Sequence, residues 1–314
     1  MNVYWNRGNK TIRLNPILSD CTCEKASDSI GTVTFTIDNE KLKDLKFDVG
    51  DLIIVPDPSD INKTLFRGKI FKIEYSNTDE IQITAYDILK YFQGSKYYVF
   101  PTIDLGSRIK VICADLAVDY GYLVKTPNVK AKLYTDKSFG DIIQDGEDYL
   151  LAMNNKRYVH RIEDNKIVLR DLDTLNTNYL ITDRIVTDYS YSESAEDVKN
   201  VIEITQKNKE TGEYTKVIMG DKASMNKLGV LASTEDADED YTYAQLVEKA
   251  RNKLFIGKQL SYELSFTIPE IANLNVYDII GTNINNQVNY GYIDSIKWDF
   301  IKKETEISLY ILGK

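Results

Sequence analysis

The chain of 314 residues carries a similar short phrase near each of its ends. In both copies an aspartate leads into an apolar strand, and after a polar spacer an aromatic residue, a glycine and two spaced isoleucines follow. A Glu-Ile-x-apolar segment closes each copy, and only the spacer lengths differ. Two unrelated hairpins can resemble each other in this way, but the shared order favours a duplicated β-unit. The fingerprint residues are Asp51, Gly68, Ile70 and Ile73 in the first copy, and Asp278, Gly291, Ile293 and Ile296 in the second.

Each copy lies within a stretch that has the pattern of short strands. Residues 1–95 contain alternating segments such as GTVTFTID, and residues 187–314 return to this pattern around a helix predicted at about 243–255. A short helix is predicted where the first stretch ends, before Gly94. Each stretch therefore predicts a tube-like antiparallel β-barrel domain.

Between them, residues 96–186 have a different character. Two amphipathic segments begin at the candidate N-caps Ser107 and Ser138, and a hairpin is predicted through residues 163–165. These elements predict a central α+β module. The predicted fold class is therefore mainly β with an α+β insertion, in which two similar tube-like antiparallel β-barrel domains flank the central module.

Charge and hydropathy exclude several classes of protein. Lys and Arg total 39 and Asp and Glu total 48, so the net charge of −9 argues against a duplex-DNA binder. No segment approaches the roughly 20 apolar residues that span a bilayer, and the N-terminal residues lack the apolar core of a secretory signal. The 22 tyrosines fit strands and half-wet contact surfaces equally well. We expect synthesis and assembly in the cytoplasm, without membrane insertion.

Nothing in the sequence points to catalysis, a cofactor or a metal. The three cysteines, of which Cys21 and Cys23 form a CTC motif, lack the spacing of a zinc site and are expected to be small core or surface thiols. His160 lies in a predicted strand and is expected to make a surface or cross-strand contact. The acidic run at 234–241 lacks the spacing of a calcium loop and is expected to be a solvated helix start. Motifs of hydrolases, zinc proteases and nucleotide-binding loops are absent from the sequence, and no carboxylate pair stands out. We therefore predict a protein that is not an enzyme.

Four stretches, in this order, resemble the baseplate hub proteins of contractile phage tails and phage-tail-like bacteriocins. More narrowly, the chain resembles the XkdQ/YqbQ type of PBSX-like prophages, and the resemblance covers nearly the whole chain. The motifs are not catalytic, and their shared order carries the resemblance; the CTC motif is not a feature of that family. The stretches are LFRGKIFKIEYSNTDEIQITAYDILKYF, KSFGDIIQ with GEDYLLAMNNKRYVHRIEDNKIVLRDL, YSYSESAEDVKNVIEIT and KVIMGDKASMNKLGVL.

The resemblance implies a structural hub without cofactors. Three subunits, each with two similar tube-like domains, would form a pseudo-sixfold ring that joins the hexameric tail tube to the trimeric central spike. The ring would also meet the end of the tape-measure protein and other baseplate proteins, and it would not bind nucleic acid specifically. Such a protein would assemble in the bacterial cytoplasm and leave the cell in the baseplate of a phage tail or bacteriocin particle. Two alternatives remain open from the residues alone, namely a tail-tip cell-wall hydrolase and a receptor- or carbohydrate-binding β-protein.

Overall fold

The computed structural model describes most of the chain. Seven strands form the N-terminal part, and a short 3-10 helix (Ile88–Gln93) follows them where the sequence predicts one. The described residues are 1–38, 45–58, 60–76, 80–208, 211–237 and 241–312. The strands are β1 (Tyr4–Arg7), β2 (Lys10–Arg13), β3 (Leu18–Ala26), β4 (Thr32–Asp38), β5 (Leu52–Asp57), β6 (Asp60–Tyr75) and β7 (Glu80–Tyr86).

The middle of the chain contains two helices that pack against short strands. Ser138 caps the second helix in a capping box with Asp141, as the sequence predicts. The predicted cap at Ser107 is wrong: Asp104 caps the first helix, and the Ser107 amide donates to its carboxylate at 3.1 Å. The elements are β8 (Tyr98–Phe100), β9 (Ile103–Asp104), α1 (Leu105–Leu116), β10 (Tyr120–Leu123), β11 (Asn128–Val129), β12 (Lys132–Tyr134), α2 (Phe139–Asn154), β13 (Tyr158–Glu163) and β14 (Lys166–Asp171).

The C-terminal part returns to strands and includes the predicted helix. That helix begins at Tyr243, after a capping box formed by Thr242 and Gln245. The acidic run is not a helix start, because Glu235 and Asp236 lie in a strand; residues 238–240 of the run are outside the described residues. The elements are β15 (Asn176–Thr182), β16 (Asp188–Ser194), β17 (Val201–Lys207), β18 (Tyr214–Gly220), α3 (Lys222–Leu228), β19 (Ala232–Ala237), α4 (Tyr243–Gly257), β20 (Ser261–Pro269), β21 (Ile279–Ile284), β22 (Gln287–Asp299) and β23 (Glu304–Ile311).

One large sheet runs through both ends of the chain. Its strand order is β16-β20-β23-β22-β3-β4-β7-β6-β5-β1-β2, and β21 joins β22 while β15 joins β21. Neighbouring strands are antiparallel except β15 and β21, which are parallel. The order β3-β4-β7-β6-β5 in the N-terminal half is matched by β16-β20-β23-β22-β21 in the C-terminal half. The fold is therefore mainly β with α+β elements, as predicted.

The two sheet halves meet where β22 pairs with β3. Residues 295–299 of β22 lie antiparallel to residues 22–26 of β3, so both halves belong to one continuous sheet over one apolar core. Trp298 is fully buried at this junction, and its indole nitrogen donates to the carbonyl of Ile271 at 2.6 Å. The sequence pattern predicts the halves as separate domains and gives no sign of this pairing.

Two smaller cores lie outside the large sheet. Helices α1 and α2 enclose one of them together with β13 and β14. The other lies between α4 and the three-stranded sheet β18-β17-β19. This helix and sheet form an additional unit within residues 187–314, where the sequence predicts a second β-barrel domain. The boundaries at 95/96 and 186/187 stay predictions. Among the described residues, no helix is both long enough and apolar enough to cross a membrane.

Candidate functional site: the aspartate turns and the charged groups between the sheet halves

The first fingerprint aspartate closes a tight turn before β5. The amide of Asp51 donates to the carbonyl of Asp48 at 3.2 Å, and the Asp51 carboxylate accepts from the Asp48 amide at 2.9 Å. The turn is fixed to β6 by two backbone bonds, from the Ile70 amide to the Asp51 carbonyl and from the Gly50 amide to the Ile70 carbonyl, both 2.8 Å. Gly50 adopts a φ of +97°, which glycine tolerates without strain.

The second aspartate closes the same turn with the same bonds. The Asp278 amide donates to Asn275 at 3.2 Å, and its carboxylate accepts from the Asn275 amide at 2.9 Å. Two backbone bonds fix the turn to β22. The Ile293 amide donates to the Asp278 carbonyl at 3.0 Å, and the Tyr277 amide donates to the Ile293 carbonyl at 2.8 Å. Tyr277 takes the position of the glycine, with a φ of +67°. Its hydroxyl donates to Asp28 at 2.7 Å, and the ring is buried, which offsets the left-handed strain of about 1–2 kcal/mol.

Both fingerprint glycines lie where a neighbouring backbone leaves no room for a side chain. A β-carbon at Gly68 would lie 2.2 Å from the carbonyl oxygen of Tyr86, and one at Gly291 would lie 2.6 Å from that of Tyr310. Tyr86 and Tyr310 occupy matching positions on β7 and β23. The glycines therefore serve the same close strand approach in the two halves.

The fingerprint isoleucines lie on either side of a β-bulge. The β6–β7 register shifts between Ile70 and Lys72, and the β22–β23 register shifts between Ile293 and Ser295. Ile70, Ile293 and Ile296 are buried in the shared core, while Ile73 is only partly buried against it.

The two aspartates bind arginines from different parts of the chain. Arg7 on β1 reaches Asp51 through two bonds of 2.8 and 2.6 Å, and Trp5 adds a third of 2.8 Å. Burial raises the pKa of Asp51, but the hydrogen bonds from Arg7, the Asp48 amide and Trp5, together with the charge of Arg7, outweigh it and hold the pKa below its usual value. Arg161 on β13 binds Asp278 at 2.6 Å. Burial raises the pKa of Asp278 and outweighs the lowering effect of Arg161, so this pKa stays above its usual value. The second turn thus fastens the central module to the sheet.

Charged groups are buried beside the junction of β22 with β3. Lys25 lies opposite Ile296 and contacts the side-chain oxygen of Asn275 at 3.4 Å, and burial lowers its pKa. Asp87 accepts from the amides of Gly31 at 3.1 Å and Leu89 at 2.9 Å. Burial raises the pKa of Asp87 to about 7, because it outweighs these bonds and the nearby lysine.

His160 is buried rather than at the surface. It contacts Glu147 of α2 at 3.0 Å through Nδ1, and the Asp28 carboxylate lies 4.0 Å away. Burial lowers the pKa of His160, but the charge and hydrogen bond of Glu147, together with the charge of Asp28, outweigh it, so the pKa is raised. These three side chains offer one imidazole nitrogen and two carboxylate oxygens within 4.8 Å of one another, a donor set that a divalent metal such as zinc accepts. As placed, His160 and Glu147 form a buried ion pair that ties α2 to β13.

Arg161, Arg7 and Tyr277 are not among the site residues that the sequence predicts. A signal for Arg161 was present, because YVHRIE is a strand without a polar alternation, and five consecutive residues of it are buried. A charged residue in such a strand needs a buried partner. The cysteines were foreseen in part: Cys21, Cys23 and Cys113 are all free and buried.

Comparison with known proteins adds family membership to this geometry. The model of the YQBQ-like family matches residues 23–311. The chain belongs to the YQBQ-like family. This confirms the resemblance to the XkdQ/YqbQ type.

Two relatives of this YQBQ-like protein come from Bacillus subtilis strain 168. The phage-like element PBSX protein XkdQ is 28% identical over 228 residues, which is 68% of each chain. YqbQ is 26% identical over 253 residues, or 76% of this chain and 74% of the relative.

Solved structures share the fold of the YQBQ-like protein over almost its full length. The 43 kDa tail protein of prophage MuSo2 from Shewanella oneidensis has a TM-score of 0.72 at 11% identity, covering 99% of this chain and 98% of that one. The prophage tail protein gp18 from Listeria monocytogenes EGD-e has a TM-score of 0.67 at 13% identity, covering 99% and 94%. The fold is that of prophage tail proteins.

Proposed function

We propose that this YQBQ-like protein is the structural hub of a contractile injection system baseplate. Three copies form a pseudo-sixfold ring that joins a hexameric tail tube to a trimeric central spike and meets the end of the tape-measure protein and other baseplate proteins. The protein assembles in the bacterial cytoplasm and is released in a phage tail or bacteriocin particle. It carries out no catalysis and needs no cofactor or metal.

One observation carries this proposal, namely the repetition of strand order, turn and bulge in the two sheet halves. A trimer can mate with a hexamer if each subunit presents two similar units, since three subunits then offer six similar surfaces. Asp51 and Asp278 make the same turn, and their different arginines fit units with different surroundings. We therefore propose that the fingerprint residues mark two versions of one tube-like domain.

The polar face of the large sheet supports a channel role. Short hydroxyl side chains lie side by side across its strands, and acidic residues flank them. Lys72 and Lys297 lie on the same face, but the acidic residues outnumber them. A face of this kind, turned towards the lumen, repels a polyanion instead of retaining it. The hydroxyl residues are Ser190, Ser265, Ser308 and Ser295 in one half and Thr22, Thr34 and Thr84 in the other. The acidic residues include Asp20, Glu24, Glu74, Asp188, Glu263 and Glu306.

Native mass and imaging of the purified protein test the proposal. We expect three times the chain mass of 36.0 kDa and a ring with a central hole. A protein that stays monomeric at every concentration contradicts it. The alternative of a cell-wall hydrolase is tested by incubation with peptidoglycan, where release of soluble fragments contradicts a purely structural role. Binding of a glycan by a monomer favours the receptor-binding alternative.

A further inference from the structure

The junction inside the chain shows how one sheet half continues into another. One edge of β22 pairs with β23 both before and after the bulge, whereas the other edge pairs with β21 before it and with β3 after it. The pairing with β3 is antiparallel, and Trp298 lies opposite Cys23 within it. Both of these side chains are fully buried.

The strand registers identify the counterparts of this junction in the other half. Strand β6 corresponds to β22, because each pairs with the strand that follows an aspartate turn, β5 or β21. Each also has a bulge at the same position, directly after Ile70 or Ile293. Strand β16 corresponds to β3, because each pairs with the first strand of the matching β4-β7 or β20-β23 pair.

The same registers match individual residues of the two junctions. Counted from the bulges, Lys72, Ile73, Glu74 and Tyr75 correspond to Ser295, Ile296, Lys297 and Trp298. Counted through the registers, Tyr189, Tyr191, Ser192 and Glu193 correspond to Cys21, Cys23, Glu24 and Lys25.

Both counterpart strands are left open. Among the residues that the structure describes, positions 72–75 of β6 pair only with β7, and β16 pairs only with β20. Six strands of the sheet separate β16 from β6, and in the described residues of one chain these two open edges do not pair with each other. Unpaired strand edges are templates for association with another chain.

Positions whose side chains are buried at the internal junction have exposed side chains at these open edges. Tyr75 is 72% exposed, whereas Trp298 at the corresponding position is fully buried. Tyr189 is 47% exposed, and its counterpart Cys21 is fully buried. Large apolar groups at positions that are core in one copy indicate that a partner covers them in the other.

We infer that β6 of one subunit pairs antiparallel with β16 of the next subunit, so that the contact between subunits repeats the junction of β22 with β3. Transfer of the internal register places Ile73 opposite Glu193, Glu74 opposite Ser192 and Tyr75 opposite Tyr191 of the neighbouring copy. The contact is heterologous, since it joins two different edges. A ring of six sheet halves has six junctions, and each chain supplies one of them internally. Three subunits joined by three such contacts therefore close the ring. This inference rests on the proposed ring and names the segments that close it.

Paired cysteines test the register on the full-length chain. Glu74→Cys and Ser192→Cys are combined in one chain, since both side chains lie on the polar face, away from the core. Directly opposite residues of an antiparallel pair have β-carbons about 4.5–5.5 Å apart, which is close to the roughly 3.5–4.5 Å of a disulfide. After mild oxidation, we expect a non-reducing gel to show linked dimers and trimers and no larger product. The control combines Glu74→Cys with Asp188→Cys, which has the same face but lies four residues further along β16.

Native mass of the same samples separates the inference from the proposed function. If the Glu74→Cys, Ser192→Cys protein is a trimer but its chains do not link, the strand pairing is overturned and the proposed ring is not. Equal linking in the Asp188→Cys control overturns the register. A monomer at all concentrations overturns both the pairing and the ring.

A second variant tests the same edge without new cysteines. Tyr75→Ser removes an aromatic side chain that the inferred contact buries, so we expect the trimer dissociation constant to rise by roughly tenfold or more. Tyr97→Ser removes a tyrosine with a similar exposure of 73% from outside the edge, and we expect no change. Equal dissociation constants for Tyr75→Ser and the unmodified protein contradict the inference.

Discussion

Arg161 joins the central module to the large sheet through Asp278. Its Nη1 atom lies 2.6 Å from the Asp278 carboxylate and 2.8 Å from the carbonyl oxygen of Val276, so one guanidinium binds both the side chain and the backbone of the turn. A further bond from Nε to Glu163 at 2.8 Å fixes the arginine on its own strand. In the other half, the partly exposed Arg7 comes from β1 of the same sheet and binds Asp51. The two turns are alike in backbone but differ in what they hold.

We predict that Arg161→Met destabilises the protein by about 3–5 kcal/mol, because it leaves a buried carboxylate without its counter-charge. Urea unfolding measures this free energy. Arg7→Met is the matched control, and we expect a smaller loss there because 35% of the Arg7 side chain is exposed, against 9% of that of Arg161, and Asp51 keeps the hydrogen bond from Trp5. Equal losses in the two variants contradict a buried linking role for Arg161. The double variant Arg161→Met, Asp278→Asn should recover part of the lost stability.

The close strand approach at Gly291 gives a second prediction. Gly291→Ala places a methyl group 2.6 Å from a backbone carbonyl, which cannot rotate away, so strands β22 and β23 must separate. We expect a loss of about 1–3 kcal/mol in unfolding free energy. Gly140→Ala is the control, since nothing lies within 3.8 Å of its added methyl group and the site is in a helix. That variant should be stabilised by about 0.5–1 kcal/mol. A neutral Gly291→Ala contradicts the role assigned to the glycine.

The hydroxyl of Tyr277 gives a third prediction. Tyr277→Phe removes the bond to Asp28 and keeps the buried ring, so thermal and urea unfolding should show a loss of about 1 kcal/mol. Tyr243→Phe removes an exposed hydroxyl, and we expect a change within about 0.5 kcal/mol there. A Tyr277→Phe protein as stable as the unmodified one indicates that ring packing alone maintains the left-handed backbone.

Local signals in the sequence predicted local structure well. Ser138 caps α2 because its side chain and that of Asp141 satisfy each other's backbone amides, and these residues are close in the sequence. The hairpin through residues 163–165 forms because Asp164 and Asn165 both take positive φ angles, which these residue types tolerate. The similar phrases around Asp51 and Asp278 fold into the same turn because each turn is closed by residues three positions apart.

Features that depend on distant residues were not predictable from the pattern. His160 is buried against Glu147 on α2; the sequence predicts that helix but does not show which of its side chains packs on His160. The pairing of β22 with β3 joins residues more than 250 positions apart. The wrong cap at Ser107 is instead a local error: Asp104 is three residues earlier, and its carboxylate accepts from both the amide and the hydroxyl of Ser107.

The buried carboxyl of Asp87 gives a prediction about pH. Burial raises its pKa from 3.8 to about 7 in the folded protein. Between these two values the folded state holds a proton that the unfolded chain has released, so stability must fall as pH rises across this range. The contribution is complete below about 3.8 and is lost as pH passes through about 7.

Asp87→Asn removes this titration, since an amide stays neutral throughout. We expect the variant to be less stable at pH 5, because only its oxygen can accept one of the two amides that Asp87 binds. Its difference from the unmodified protein should shrink steadily from pH 4 to pH 8. Urea unfolding at one-unit pH intervals measures both curves. Asp294→Asn, at a half-buried aspartate that accepts from Ser27, controls for the loss of a carboxylate as such. Parallel curves for Asp87→Asn and the unmodified protein would show that Asp87 is already ionised at low pH and that Lys25 neutralises it.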